Sequence, residues 1–224
     1  MKALRFTLVA DGPSDEALIH PLRWLLIHEG VTRPIEPAWA DLRQLPHPPD
    51  GLGDRIRWAG QLYPCDILFI HRDAEREARE RRVQEIRQAL QRLSPDLFGQ
   101  APCVCVVPVR MTEAWFLFDE SAIRRAAGNP AGRTPLSLPH SSIVESLPDP
   151  KQHLYSLLQA ATERPARRLK RFSLSQAWYR LAESIDDFSP LLRLSAFTAM
   201  RADLRDILEA QGWAGIPQPP GTTD

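Results

Sequence analysis

The sequence predicts an α/β fold, a mostly parallel sheet flanked by helices, with a helical C-terminal portion. Three observations predict it. Apolar runs near 4–10, 67–70 and 103–109 alternate with longer stretches of helical periodicity, which is the pattern of strand–helix–strand units. The run Ile67-Leu68-Phe69-Ile70 is apolar without alternation, as in a strand covered on both faces. After Pro108 the strand-like runs stop and helical patterns take over.

Residues 4–10 read as the first strand, rich in β-branched and aromatic side chains. Gly12-Pro13-Ser14 ends it. A helix over 14–28 puts Ala17, Leu18, Leu22, Leu25 and Leu26 on one face. Ser14 or Gly12 caps it, Gly30 ends it, and Pro21 is expected to kink it. Residues 31–53 are Pro-rich and irregular, with Ile35 to Trp39 available as a short strand. A short helix follows at 54–62, a strand at 67–70, and a charged helix at 75–93 with Val83, Ile86, Ala89, Leu90 and Leu93 as its apolar stripe. Residues 103–109 form another doubly buried strand. Helices are expected at 112–127, 150–162, 173–185 and 189–210, with a Pro-, Ser- and Gly-rich loop over 128–150. Asp149-Pro150 is a good helix start. The expected organisation is an α/β core at 1–127, a helical extension packed on it at 128–212, and a disordered tail at 213–224.

The 224 residues and 43% hydrophobic content suffice for a sizeable core. The formal net charge is zero, so no global field draws this protein to nucleic acid and any such contact must be local. The three cysteines, Cys65, Cys103 and Cys105, have no CxxC spacing, which argues against a disulfide framework or a zinc knuckle. No run is long and apolar enough for a membrane span or a signal sequence, so a soluble, cytoplasmic protein is expected. Gly12-Pro13-Ser14 lacks the Gly-Lys-Ser/Thr ending of a phosphate loop, and there is no Gly-x-Ser-x-Gly elbow.

The chemistry sits in two acidic clusters. Asp11-Gly12-Pro13-Ser14-Asp15-Glu16 follows the first strand, and His71-Arg72-Asp73-Ala74-Glu75 follows the strand at 67–70. Ligand and catalytic groups of open α/β sheets lie at the carboxyl ends of strands. If the two ends are adjacent, Asp11, Asp15, Asp73 and Glu75 gather at one spot. Carboxylates crowded together repel unless a cation offsets them, and a hard cation with oxygen ligands, Mg²⁺ or Mn²⁺, is the natural solution. Such a metal activates water and stabilises charge on a phosphate. The ordinary alternative remains open: Asp15 and Glu16 suit a helix's first turn, and Asp73 suits an N-cap.

These clusters carry a resemblance. Leu8-Val9-Ala10-Asp11-Gly12-Pro13-Ser14-Asp15-Glu16 resembles the first motif of Toprim domains, a strand followed by Glu-Gly-x-Ser/Thr-Asp/Glu. Ile70-His71-Arg72-Asp73-Ala74-Glu75 resembles their second, an apolar strand followed by Asp-x-Asp. Val107 to Asp119 and the helix start Asp149-Pro150-Lys151 are similar to segments of stand-alone Toprim-like proteins of the overcoming-lysogenization-defect nuclease type. The similarity covers about 1–210. It implies a Toprim-like fold, a Mg²⁺-dependent nuclease or nuclease effector subunit in prokaryotic anti-phage defence, and an ATPase partner. It also implies Asp11, Asp15, Asp73 and Glu75 as the metal set. Asp11 stands where the family has Glu, and Glu75 where it has Asp, so the reach of both carboxylates differs from the pattern.

Other residues extend this reading. Glu113 follows a third strand end and is a candidate metal ligand or positioning group; the alternative is a helix-start carboxylate paired with Arg110. His71 is a candidate proton shuttle or a satisfied core histidine. Glu16 is a weaker candidate base. Lys151 is a candidate phosphate contact, as the resemblance suggests. Arg164, Arg167, Arg168, Lys170 and Arg171 form the one dense basic run and are the candidate nucleic-acid surface, or else a solvated face. The competing function is a non-catalytic assembly or sensing subunit that docks on an ATPase or nucleic acid. A small-molecule phosphotransferase is a third reading. A homo-oligomer is compatible with all of them.

Overall fold

The computed structural model describes residues 2–94, 97 and 101–214. Its sheet contains β1 (Leu4–Val9), β2 (Ile35–Trp39), β3 (Ile67–His71) and β4 (Cys103–Val106) in the order β2-β1-β3-β4, with every pair parallel. Phe6 pairs with Ile67 and Val9 with Ile70, so the two central strands end side by side.

The helices pack on both faces. α1 (Ile19–His28) links β1 to β2 on one face, and α2 (Leu52–Leu62) and α3 (Arg79–Gln91) make the later crossings on the other. Strand side chains alternate accordingly. Phe6, Leu8, Ile67, Phe69, Val104 and Val106 join one cluster, while Leu68, Ile70, Cys105 and Val107 join the other. Right-handed crossovers running in opposite directions from β1 must lie on opposite faces. The chain therefore reverses its winding between β1 and β3, and this is the switch point of a doubly wound sheet.

The remaining helices are α4 (Glu120–Ala126), α5 (Ser141–Val144), α6 (Pro150–Ala161), α7 (Ala166–Leu169), α8 (Leu174–Ser184) and α9 (Ser195–Ala210). Side chains from α4, α6, α8 and α9 bury with Phe6 and Phe69 in one continuous core. Trp115 meets Phe197 edge-to-face at 5.0 Å and Phe116 meets Trp178 at 4.7 Å, so the helical part is built into the core of the sheet. α9 packs along β4. Cys65, Cys103 and Cys105 are free thiols.

Several expected boundaries shift for local reasons. The first helix opens as a 3-10 segment, Pro13–Leu18, before α1. Pro21 is then the third residue of α1, where its missing N–H is one of the unpaired first four. The expected helix at 112–127 is instead a 3-10 segment, Thr112–Phe116, and then α4, restarted by Asp119, whose carboxylate accepts from the Ala122 N–H at 2.8 Å. α3 starts at Arg79 rather than at Glu75, which sits in a turn at φ 56°. β4 stops at Val106, before Pro108. The loop at 128–150 contains the single turn α5. Of the expected tail, Trp213 packs on the core with the Arg33 guanidinium 5.3 Å over its ring. Residues 215–224 lie outside the described residues. Among the described residues no helix is long and apolar enough to cross a membrane.

Candidate functional site

Three parallel strands end together at the switch point, and each delivers a polar loop there. After β1 comes Asp11-Gly12 and the 3-10 turn with Asp15. From β3 come His71, Arg72 and Asp73, and after β4 come Arg110 to Glu113. Hydrogen bonds tie the last two loops beyond the strands: Arg72 N–H to the Val106 carbonyl, Ala74 N–H to that of Pro108, and Glu75 N–H to that of Arg110 at 2.8 Å.

His71 is the centre of the cluster and is fully buried. Its Nδ1 lies 3.5 Å from Asp15 Oδ2 and its Nε2 lies 3.2 Å from Asp73 Oδ1. Burial alone would drive the imidazole toward its neutral form. The two carboxylates outweigh it, and His71 is pushed up to about 10. Asp15 is also buried. Burial opposes its charge, but His71 and the Gly12 N–H, which donates to Oδ2 at 2.9 Å, hold it below the ordinary carboxylate range.

Asp73 Oδ1 also accepts from the Thr112 backbone N–H at 2.8 Å and from the Thr112 hydroxyl at 3.2 Å. Asp73 thus caps the turn after β4 rather than α3. The C-terminal helices hold the other side. Trp178 Nε1–H donates to the Ser14 carbonyl at 2.8 Å and the Tyr179 hydroxyl to that of Pro13 at 2.9 Å.

Asp11 lies further out, with its side chain 40% exposed. Arg55 Nη1 is 2.6 Å from one of its oxygens and Arg72 Nε is 2.9 Å from the other. Glu113 is buried beside Asp73 and pairs with Lys151 Nζ at 3.3 Å, not with Arg110. Burial, helped by the nearby Asp73 charge, raises the Glu113 carboxyl above its usual range against the pull of Lys151. Burial works against the Lys151 charge, but Glu113 and its neighbours outweigh it and raise that ammonium.

The expected site residues therefore separate into groups. Asp15, Asp73 and Glu113 converge with Lys151 around His71. Asp11 stands at the neighbouring strand end, held by arginines. Glu75 turns to Arg82 at 3.2 Å and is exposed. Arg167 and Arg168 in α7, with Lys170 and Arg171, are exposed beyond the C-terminal end of α6. Lys151 occupies the first turn of that helix, whose 12 residues place its ends roughly 18 Å apart. Sequence reasoning passed over Arg55, Arg72 and Thr112. Arg72, next to Asp73, and Thr112, next to Glu113, each stood beside a candidate in the chain; Arg55 carried no sequence signal.

A hard divalent cation at these strand ends would draw on carboxylate oxygens; both Asp11 oxygens face arginines, and Asp73 Oδ1 faces His71 and Thr112. A cation there competes with Arg55 and Arg72 for Asp11. Among the described residues no three or more His, Cys, Asp or Glu side chains are already grouped to hold one.

No family model, curated protein or solved structure matches this chain.

Proposed function

We propose that this protein is a Mg²⁺- or Mn²⁺-dependent phosphodiesterase that hydrolyses nucleic acid at the β1–β3 switch point. The observation that supports the reading is that Asp11, Asp15, Asp73 and Glu113 follow the ends of three adjacent strands, where a doubly wound sheet places its ligand. The all-parallel sheet with helices on both faces is consistent with a Toprim-like fold without being specific to it. The resemblance adds the setting: an effector in prokaryotic anti-phage defence that works with an ATPase.

Asp73 and Asp11 would hold the metal, which supplies an activated water and neutralises phosphate charge. Thr112 fixes Asp73 through two hydrogen bonds. Asp15 holds His71, and the imidazolium orients Asp73. Glu113, raised by its burial, is the side chain best suited to take a proton from the attacking water, because a base works best with a pKa brought toward the working pH. Lys151, paired with Glu113, would turn to a phosphate oxygen.

One observation favours a second reading, a non-catalytic assembly or sensing subunit. Arg55, Arg72 and the His71 imidazolium together offset Asp11, Asp15 and Asp73, so the cluster is charge-balanced by its own side chains. The test is cleavage of plasmid DNA and total RNA by the purified chain with Mg²⁺, Mn²⁺ or EDTA, beside Asp73→Asn. Metal-dependent cleavage that the variant lacks supports the nuclease. Folded protein that cleaves neither, and co-purifies with an ATPase, supports the subunit.

A further inference from the structure

We propose that the cleft between the β3–α3 loop, the loop after β4 and the start of α6 seats a phosphodiester backbone, gripped by Arg76, Arg110 and Lys151. This deepens the nuclease reading and rests on it. The cleft is open and measures about 530 Å³. It lies beside the acidic cluster, and Lys151 is the lining residue that touches it. Lys151 contacts Glu113, Arg110 lies two residues before Thr112, and Arg76 lies three residues after Asp73.

The charge of this cleft depends on which groups are already engaged. Its lining includes Glu75, Glu77 and Asp149 as well as the three cations. Glu75 is paired with Arg82 and Glu77 with Arg81, both on α3. Asp149 keeps its charge but is held against the α6 N-terminus, where it accepts from the Gln152 N–H. That leaves Arg76 and Arg110 without an acidic partner among the described residues. These two guanidiniums then face one opening, beside the Lys151 ammonium that Glu113 engages.

The geometry also sets what kind of contact is made. No aromatic side chain lines the cleft, so it offers no platform for stacking bases. Contacts to phosphate position a nucleic acid without reading its sequence. The Arg110 carbonyl accepts from the Glu75 N–H, which ties the loop carrying Arg110 to the one carrying Arg76. The rival surface is the basic run Arg167, Arg168, Lys170 and Arg171, beyond the far end of α6.

The experiment is binding of a labelled duplex and of its single strand to the full chain in EDTA, followed by fluorescence anisotropy over a salt series. Arg76→Gln/Arg110→Gln should weaken binding about tenfold and flatten the salt dependence by roughly two phosphate contacts. Arg76→Lys/Arg110→Lys should keep most of the affinity and the salt slope. A fourfold Gln variant of the basic run should bind as the native chain does. The strand form with the larger loss in the Gln variant is the one the cleft takes. Three results overturn the proposal: native chain that does not bind, a Gln variant with unchanged affinity and slope, or loss of binding only in the basic-run variant. Because binding is read in EDTA, a chain that binds through this cleft but never cleaves refutes the nuclease and not the cleft. A chain whose metal-dependent cleavage needs Asp73 while binding ignores Arg76 and Arg110 refutes the cleft and not the nuclease.

Discussion

Asp15 and His71 form an ion pair across the two central strands, with Asp15 Oδ2 3.5 Å from His71 Nδ1. The pair joins the first turn after β1 to the last residue of β3. Asp73 closes on the opposite ring nitrogen, so one imidazolium bridges two carboxylates inside the sheet's end.

His71→Leu should be strongly destabilising. It leaves Asp15 buried without its cation, a loss of roughly 3–5 kcal/mol for a broken buried pair. For a chain of this size that is on the order of 10 °C in Tm. Thermal unfolding followed by circular dichroism measures it, and a variant that melts with the native protein would remove His71 from the architecture.

The bridge gives stability a direction with pH. His71 is raised from 6.5 to about 10 on folding. Its contribution is therefore fully present below pH 6.5, declines above it, and is gone once pH passes about 10. Denaturant unfolding at a series of pH values should show this decline in the native chain. His71→Gln should lack that component, and equal slopes in the two proteins would contradict the assignment.

Glu113 predicts a trade between stability and activity. Its carboxyl is raised on burial, so the folded chain prefers it neutral, and its charge costs stability at pH values above the ordinary carboxylate range. Glu113→Gln should raise Tm at neutral pH and lower activity. Lys151, 40% exposed, loses its partner at little cost. A lower Tm together with full activity would show Glu113 to be structural.

Metal should raise the melting temperature of the native chain by binding the folded state alone. Asp73→Asn should lose that shift while keeping the Thr112 hydrogen bonds, since the amide oxygen still accepts. A scaffold without a metal site shows no shift in either protein.

The acidic loops were legible in the sequence because each follows an unbroken apolar strand, and a carboxylate after such a run lies at a strand end whatever the rest of the fold does. Asp11, Asp15 and Asp73 were found that way, and Glu113 by the same rule at the third strand. Their division of labour was not legible. Asp15 became a buried partner of His71, and Asp11 became the partner of Arg55, a residue 44 positions away. Glu75 turned outward because the chain passes through a left-handed turn before α3. The dense basic run drew attention by its composition alone. Arg76 and Arg110 are scattered in sequence and become neighbours only when the β3 and β4 loops bond to each other.

What the sequence by itself determined is the alternation of strands and helices, the parallel sheet and the positions of the strand-end carboxylates, because these follow from local periodicity and turn chemistry. The tertiary structure alone decided the strand order that makes β1 and β3 adjacent, the Trp178 and Tyr179 anchors on the first loop, and the cation each carboxylate meets. Those outcomes depend on contacts between residues far apart in the chain, where side-chain burial and charge are set by what packs against them and not by their neighbours in sequence.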